Sequence, residues 1–190
     1  MKKNLITAFL MTIATTILLG VIYPLVVTAI AQVLFKDKAN GQIRYRNGEA
    51  IGSRIIAQPF TSPKYFHPRP SNAGNGYDAA NSGGTNYGPT NQKLIERVRA
   101  DAASLHQENP NQPIPVDLLT TSASGLDPEI SPAAAEFQIP RVARERGIPE
   151  SVVRDLVQKH TYQRDFGLLG EPRVNVLELN LDLDQQSGKQ

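Results

Sequence analysis

The chain opens on a long apolar stretch. After Lys2 and Lys3 the next charged side chain is Lys36, and Leu5 to Val27 is built mostly of Leu, Ile, Val, Phe, Met, Ala and Thr. About 20 such residues cross a bilayer as a helix, so the pattern predicts a transmembrane helix within residues 1–35. A cleaved secretory signal is the competing reading, because Lys2 and Lys3 form a basic start and Ala29-Ile30-Ala31 has the small-x-small form of a cleavage site. Signal cores run roughly 7 to 15 residues, shorter than this run, and a retained signal anchor fits better. Ala8, Thr12, Thr16 and Gly20 recur at every fourth position. Such a face of small residues lets a second helix approach closely in lipid, although these residues are also common in membrane segments that pack on nothing. Pro24 lacks an N–H and opens the helix locally.

Residues 36–190 suffice for one domain with its own core. Ile43 to Tyr45 and Ile51 to Ala57 flank Asn47-Gly48, a dipeptide that accepts positive φ at both turn positions and predicts a β-hairpin. From 58 to 92 the pattern changes to Pro, Gly and Asn. Yet Phe60, Tyr65, Phe66, Tyr77 and Tyr87 lie in this stretch, and disordered segments are poor in aromatics. An ordered, functional excursion follows, with its aromatics packed down and its backbone open to a partner.

Thr90 or Asn91 caps a helix to about His106, with Leu94, Val98, Ala102 and Leu105 as its apolar stripe. Ile114 to Thr121 reads as a short buried strand, and Ser122 to Glu129 as a polar loop. Ser131 before Pro132 starts a helix through Gln138. Pro140 kinks it or opens a new turn, Gly147 stops the Arg141 to Arg146 segment, and Pro149 opens a helix from Glu150 to His160. Val174 to Leu183 alternates Leu177, Leu179, Leu181 and Leu183 with Glu178, Asn180, Asp182 and Asp184, the pattern of a half-buried strand. The expected architecture is a single N-terminal transmembrane helix plus a compact α/β (α+β) exported soluble domain, residues 1–35 and 36–190.

Charge adds one exclusion. The chain has 20 Lys plus Arg against 18 Asp plus Glu, and Lys2 and Lys3 account for the surplus. Nucleic acid is therefore not an expected partner, whereas membrane lipid is. Lys36, Lys38, Arg44 and Arg46 outnumber the charges before the helix, so counting them does not settle the topology, and long domains translocate largely regardless of charge. With no Cys there is no thiol nucleophile, disulfide or thiolate metal site.

Chemistry is sparse. His67, His106 and His160 lack metal-ligand spacing, and no metal site is expected. Ser122-Ala123-Ser124-Gly125 beside Asp127 has no nucleophile elbow and reads as a loop capped by short polar side chains. Ser82-Gly83-Gly84-Thr85 lacks the Lys and following helix of a phosphate loop. Arg141, Arg144, Arg146 and Arg154 interleave with Glu145, Glu150 and Asp155, the pattern of a solvated, ion-paired face. No catalytic residues are expected. The alternative from another class is a membrane-anchored exported hydrolase using Ser124, His67 and Asp127, and a third reading is a self-sufficient cation-binding module.

Tyr23-Pro24; Gly52-Ser53 with Gln58 and Phe60; Tyr65-Phe66-His67-Pro68-Arg69-Pro70-Ser71; Ser82-Gly83-Gly84-Thr85-Asn86; Pro115-Val116-Asp117-Leu118; Ser122 to Asp127; Ile130 to Ala135; Gln138 to Ala143; and Gly170 to Leu181 follow one another along the chain. Together these blocks resemble the C subunit family of the bacterial Kdp potassium-transporting P-type ATPase. The resemblance implies a single-pass accessory subunit of the bacterial inner membrane, its C-terminal domain extracytoplasmic over a channel-like potassium-binding subunit, beside an ATP-hydrolysing P-type subunit. It implies assembly or stabilisation of that pump, and the role of a catalytic chaperone raising the ATP affinity of the hydrolysing subunit. ATP enters as a cofactor only through the resemblance, and the nucleotide-binding residues are not assigned. The family's proposed nucleotide-related signature ends in Gln, whereas Ile148-Pro149-Glu150-Ser151-Val152 stands in its place here. The candidate contacts are Ala8, Thr12, Thr16 and Gly20 for helix packing, and Tyr65, Phe66, His67, Arg69, Ser82, Gly83, Gly84 and Asn86 for a partner subunit.

Overall fold

The computed structural model describes residues 1–187 and divides into two compact units, Met1–Ala50 and the residues from Ile51 onward. In the first, α1 (Lys2–Thr15), a π-helical segment (Thr16–Ile22) and α2 (Tyr23–Leu34) run together. They make one helix of 33 residues, long and apolar enough to cross a membrane. The π segment sits immediately before Pro24. Proline cannot donate to the carbonyl one turn back and its ring crowds that carbonyl, so the ladder shifts by one residue. The Tyr23 N–H accordingly reaches back to Leu18 O. A four-residue helix, α3 (Lys36–Ala39), follows the kink at Phe35.

Strands β1 (Ile43–Arg46) and β2 (Glu49–Ser53) pair as a hairpin. Asn47 and Gly48 at its turn have φ of 53° and 84°, as the dipeptide predicts. The second strand stops at Ser53, short of the expected Ala57.

The second unit is built around α5 (Pro132–Arg146), which buries Ala134, Ala135, Phe137, Gln138, Ile139, Arg141, Val142 and Ala143. Ser131 caps it by accepting from the Ala134 N–H at 3.0 Å, and Gly147 ends it at φ 65°. Pro140 lies inside this helix without ending it, so the expected break after Gln138 is absent. Helix α6 (Glu150–Lys159) packs on α5 through Val153, Leu156 and Val157. Helix α4 (Gln92–Glu108) is capped by Asn91 and keeps its stripe half-buried.

Two expected strands are not strands. In place of Ile114 to Thr121 there is a 3-10 turn, Val116–Leu118, with Leu118 buried and Val116 71% exposed. Pro113 and Pro115 each remove a backbone donor, and the Asp117 carboxylate leaves the turn to accept from Ser131 N at 2.8 Å and Ser131 Oγ at 3.0 Å. Val174 to Leu183 divides into β5 (Arg173–Asn175) and α7 (Val176–Ser187). Asn175 Oδ1 accepts from the Glu178 N–H at 3.1 Å and starts the helix. Val176, Leu179, Asn180 and Leu183 then form the buried face.

Strand β5 lies between β3 (Glu129–Ile130) and β4 (Thr161–Tyr162), antiparallel to both, with Ile130 and Thr161 both opposite Val174. Helices α5 and α7 pack on this small sheet and α6 packs on both of them in an α+β arrangement, and Phe66 from the 58–92 excursion enters the same core.

Candidate functional site

The excursion contains no helix or strand before α4, yet it is pinned along its length. Two buried side-chain amides do most of this. Asn180 accepts from Phe66 N and donates to Phe66 O, both at 2.9 Å. Gln138 accepts from His67 N at 2.8 Å and donates to His67 O at 3.2 Å. Each amide thus stands in for a paired strand, satisfying both backbone groups of one residue where no sheet reaches. The Phe66 ring is fully buried, so its contribution to any contact is to hold the excursion down.

Arg69 forms the next bracket. Its guanidinium pairs with Asp127 at 3.1 Å and donates to Thr120 O and Thr121 O. Tyr77 OH returns to Arg69 O at 2.8 Å, and Ser71 Oγ donates to Gly125 O at 2.6 Å. Gly83 N and Ser82 Oγ both donate to Ser124 O, at 2.8 and 3.0 Å. At Gly84 an added Cβ would lie 3.0 Å from Ala123 O, and at Gly125 (φ 67°) 2.7 Å from Gly83 O. Glycine here permits two backbones to touch. Asn86 is exposed with φ 54°.

Tyr65 is held by Asp184 at 3.1 Å and by the Arg146 guanidinium 4.9 Å above its ring. Burial and the Asp184 carboxylate raise its phenol above the ordinary range. Burial and the Arg141 charge push the His67 imidazole below its ordinary value, keeping it neutral opposite Ser62 O at 3.2 Å.

The arginine cluster is only partly a solvated face. Arg144 is exposed beside Glu145. Arg141, 6% exposed, pairs with Glu108 and donates to Pro63 O, Tyr65 O and Gln138 Oε1. Arg146 binds Asp184 and Lys64 O from a buried position. Both guanidinium groups satisfy excursion carbonyls that the missing sheet leaves open, a task that spacing alone did not reveal.

The proposed hydrolytic residues serve separate ends. Ser124 Oγ accepts from Leu126 N at 3.1 Å, Asp127 holds Arg69, and His67 faces Ser62. The 82–85 segment is a poor fit for the phosphates of ATP, because its Gly83 N–H is engaged by Ser124 O and Gly84 rests on Ala123 O. The 148–152 segment starts α6 with Glu150 in its first turn, which repels an anion there. A cleft of about 410 Å³ is lined by Phe60, His67, Tyr77, Leu105, Glu108 and Gln138. A second, of about 480 Å³, holds Arg69 and Arg173 opposite Asp127 and Glu129, which they neutralise. Burial raises the Glu129 carboxyl.

On the long N-terminal helix, Ala8, Thr12, Thr16 and Gly20 are all exposed. Thr12 Oγ1 donates to Ala8 O within the helix at 2.9 Å, so its hydroxyl proton is engaged inside the helix and its methyl adds to the small-residue surface. A π turn takes more residues than an α turn, so the segment from Thr16 swings Gly20 back toward the line of Ala8 and Thr12.

These features define a chain with a 33-residue N-terminal helix long and apolar enough to cross a membrane and an α+β domain in which the polar side chains of the candidate site serve its own fold. Residues 5–185 match the family model described as "K+-transporting ATPase, c chain" (KdpC). The Koribacter versatilis protein named Potassium-transporting ATPase KdpC subunit is 69% identical over 184 residues, 97% of this chain and 95% of that protein. Proteins of the same name from Acidobacterium capsulatum and Rhodopseudomonas palustris are 53% and 52% identical, each over at least 96% of this chain and 98% of its own length. The chain belongs to the KdpC family.

Proposed function

We propose that the chain is the single-pass accessory subunit of an ATP-driven potassium uptake pump, and that it assembles and stabilises the complex. The N-terminal helix lies in the bacterial inner membrane and packs on a partner helix through Ala8, Thr12, Thr16 and Gly20. The domain beyond it is extracytoplasmic, over the channel-like potassium-binding subunit. The carrying observation is the 33-residue apolar helix with its small-residue face unburied within the chain. The exposed rim of the excursion, Ser82, Asn86 and Tyr87, reaches the channel-like subunit, with Tyr65, His67, Arg69, Gly83 and Gly84 holding that rim in shape.

The raised ATP affinity of the hydrolysing subunit follows, in this reading, from how the complex is held together. The absence of an open phosphate cradle at 82–85 favours that indirect route. The test is co-purification in detergent of the T16L/G20L double variant. An added Cβ at Gly20 meets nothing closer than Thr16 Cγ2 at 3.8 Å, so the chain itself tolerates the change. Loss of the partner subunits is the expected result, and undiminished co-purification refutes the packing face.

A further inference from the structure

Between β4 and β5 the chain makes a tight hairpin with an apolar, open tip. Phe166, Leu168 and Leu169 are 94%, 81% and 61% exposed. The tip is nonetheless braced. Asp165 N donates to Leu169 O at 2.8 Å, Leu169 N returns to Asp165 O at 2.9 Å, and Gly167 N reaches Arg164 O at 3.1 Å. Arg164 pairs with Glu171 at 2.6 Å and Arg173 with Asp165 at 3.3 Å across its two legs. Arg173 also holds Glu129 at 3.1 Å, tying the hairpin to β3.

Three large apolar side chains held in water on a fixed turn oppose the hydrophobic effect, and Phe166 at φ 54° adds backbone strain. Nothing inside the domain benefits from either, which points outward. The charges on the legs identify the occupant. The two arginines pair with three carboxylates, Asp165, Glu171 and Glu129, so no unpaired positive charge stands beside the uncharged Phe166 to Leu169 tip. An anionic bilayer surface attracts unpaired Lys and Arg. A neutral, preformed knob instead complements an uncharged apolar pocket in a folded protein and loses little conformational freedom on entering it.

We propose that the 164–171 hairpin is a docking plug that seats Phe166 and Leu168 in an apolar socket on another subunit of the same pump. The proposal rests on the accessory-subunit reading. Its test uses the intact membrane complex carrying Phe166→p-benzoylphenylalanine, irradiated and analysed for adducts, alongside the F166S/L168S double variant. The expected results are a cross-link to another pump subunit and a drop of about tenfold or more in co-purified partner. The thermal unfolding of the double variant should stay within about 2 °C of the parent, because both side chains are solvent-exposed. A cross-link to lipid, to a second copy of this chain or to nothing, in a complex that still co-purifies, overturns the plug and leaves the accessory role standing. Failure of the unaltered chain to bring down any pump subunit overturns the accessory reading and the plug with it.

Discussion

Asn180→Ala probes how the excursion is held. The side chain is 1% exposed, and its amide is the partner of both Phe66 N and Phe66 O at 2.9 Å. Alanine leaves two buried backbone groups without that partner, at about 1–3 kcal/mol each. Water entering the vacated space recovers part of this, so a loss of about 3 kcal/mol is expected. That is a large share of the roughly 5–15 kcal/mol that stabilises an ordinary domain. For a unit of this size it lowers Tm by roughly 10 °C. The chain has six Tyr and no Trp, so near-ultraviolet circular dichroism of the full-length protein in detergent follows the transition through its tyrosines. Limited proteolysis should also show faster cutting between residues 58 and 92 than at α5 or α6. A Tm shift below about 2 °C, or unchanged cutting, refutes the claim that the amide holds the excursion.

Gly125→Ala should destabilise by about 2 kcal/mol or more, since it combines positive φ with a Cβ 2.7 Å from Gly83 O, and chemical denaturation of the full chain measures it. Arg141→Ala strands Glu108 and the Pro63 and Tyr65 carbonyls in a site where the guanidinium is 6% exposed, and a loss of about 3–5 kcal/mol by the same assay is expected. The His67 pKa is lowered in the fold, so the unfolded chain takes up the proton first. The stabilisation is complete above about pH 6.5 and is lost as pH falls from there through the folded pKa. A series of Tm values across that window should be flatter for His67→Gln than for the parent. Asp182 is depressed by Lys159 and His160, so its contribution holds above the ordinary carboxylate range and is lost only in stronger acid. Substituting Asp182→Asn should remove that acid limb from the same titration.

The elements that announce themselves in the sequence have local causes. The apolar run from Leu5 forms one continuous 33-residue helix, Asn47-Gly48 forms the turn it encodes, and Asn91, Ser131 and Gly147 act as caps. The segment from Val174 misleads because alternate leucines also meet at i and i+4, so Leu177 with Leu181 and Leu179 with Leu183 satisfy a helix as well as a strand. The deciding residues are polar: Asn175 caps α7, and Asn180, assigned to the wet face by alternation, is buried against Phe66. The same holds for the candidate contacts. Tyr65 to Arg69 and Ser82 to Gly84 stand out as motifs, but their partners Gln138, Asn180, Arg141 and the 120–127 loop are distant in sequence. The exposed Phe-Gly-Leu-Leu tip gives no periodic signal at all.

The accessory role is tested most directly by affinity purification of the tagged full-length chain from native membranes, followed by ATPase assay with and without potassium. Recovery of two larger membrane subunits with potassium-stimulated hydrolysis is the predicted result. Recovery of the chain alone, from membranes in which those subunits are shown to be present, contradicts it.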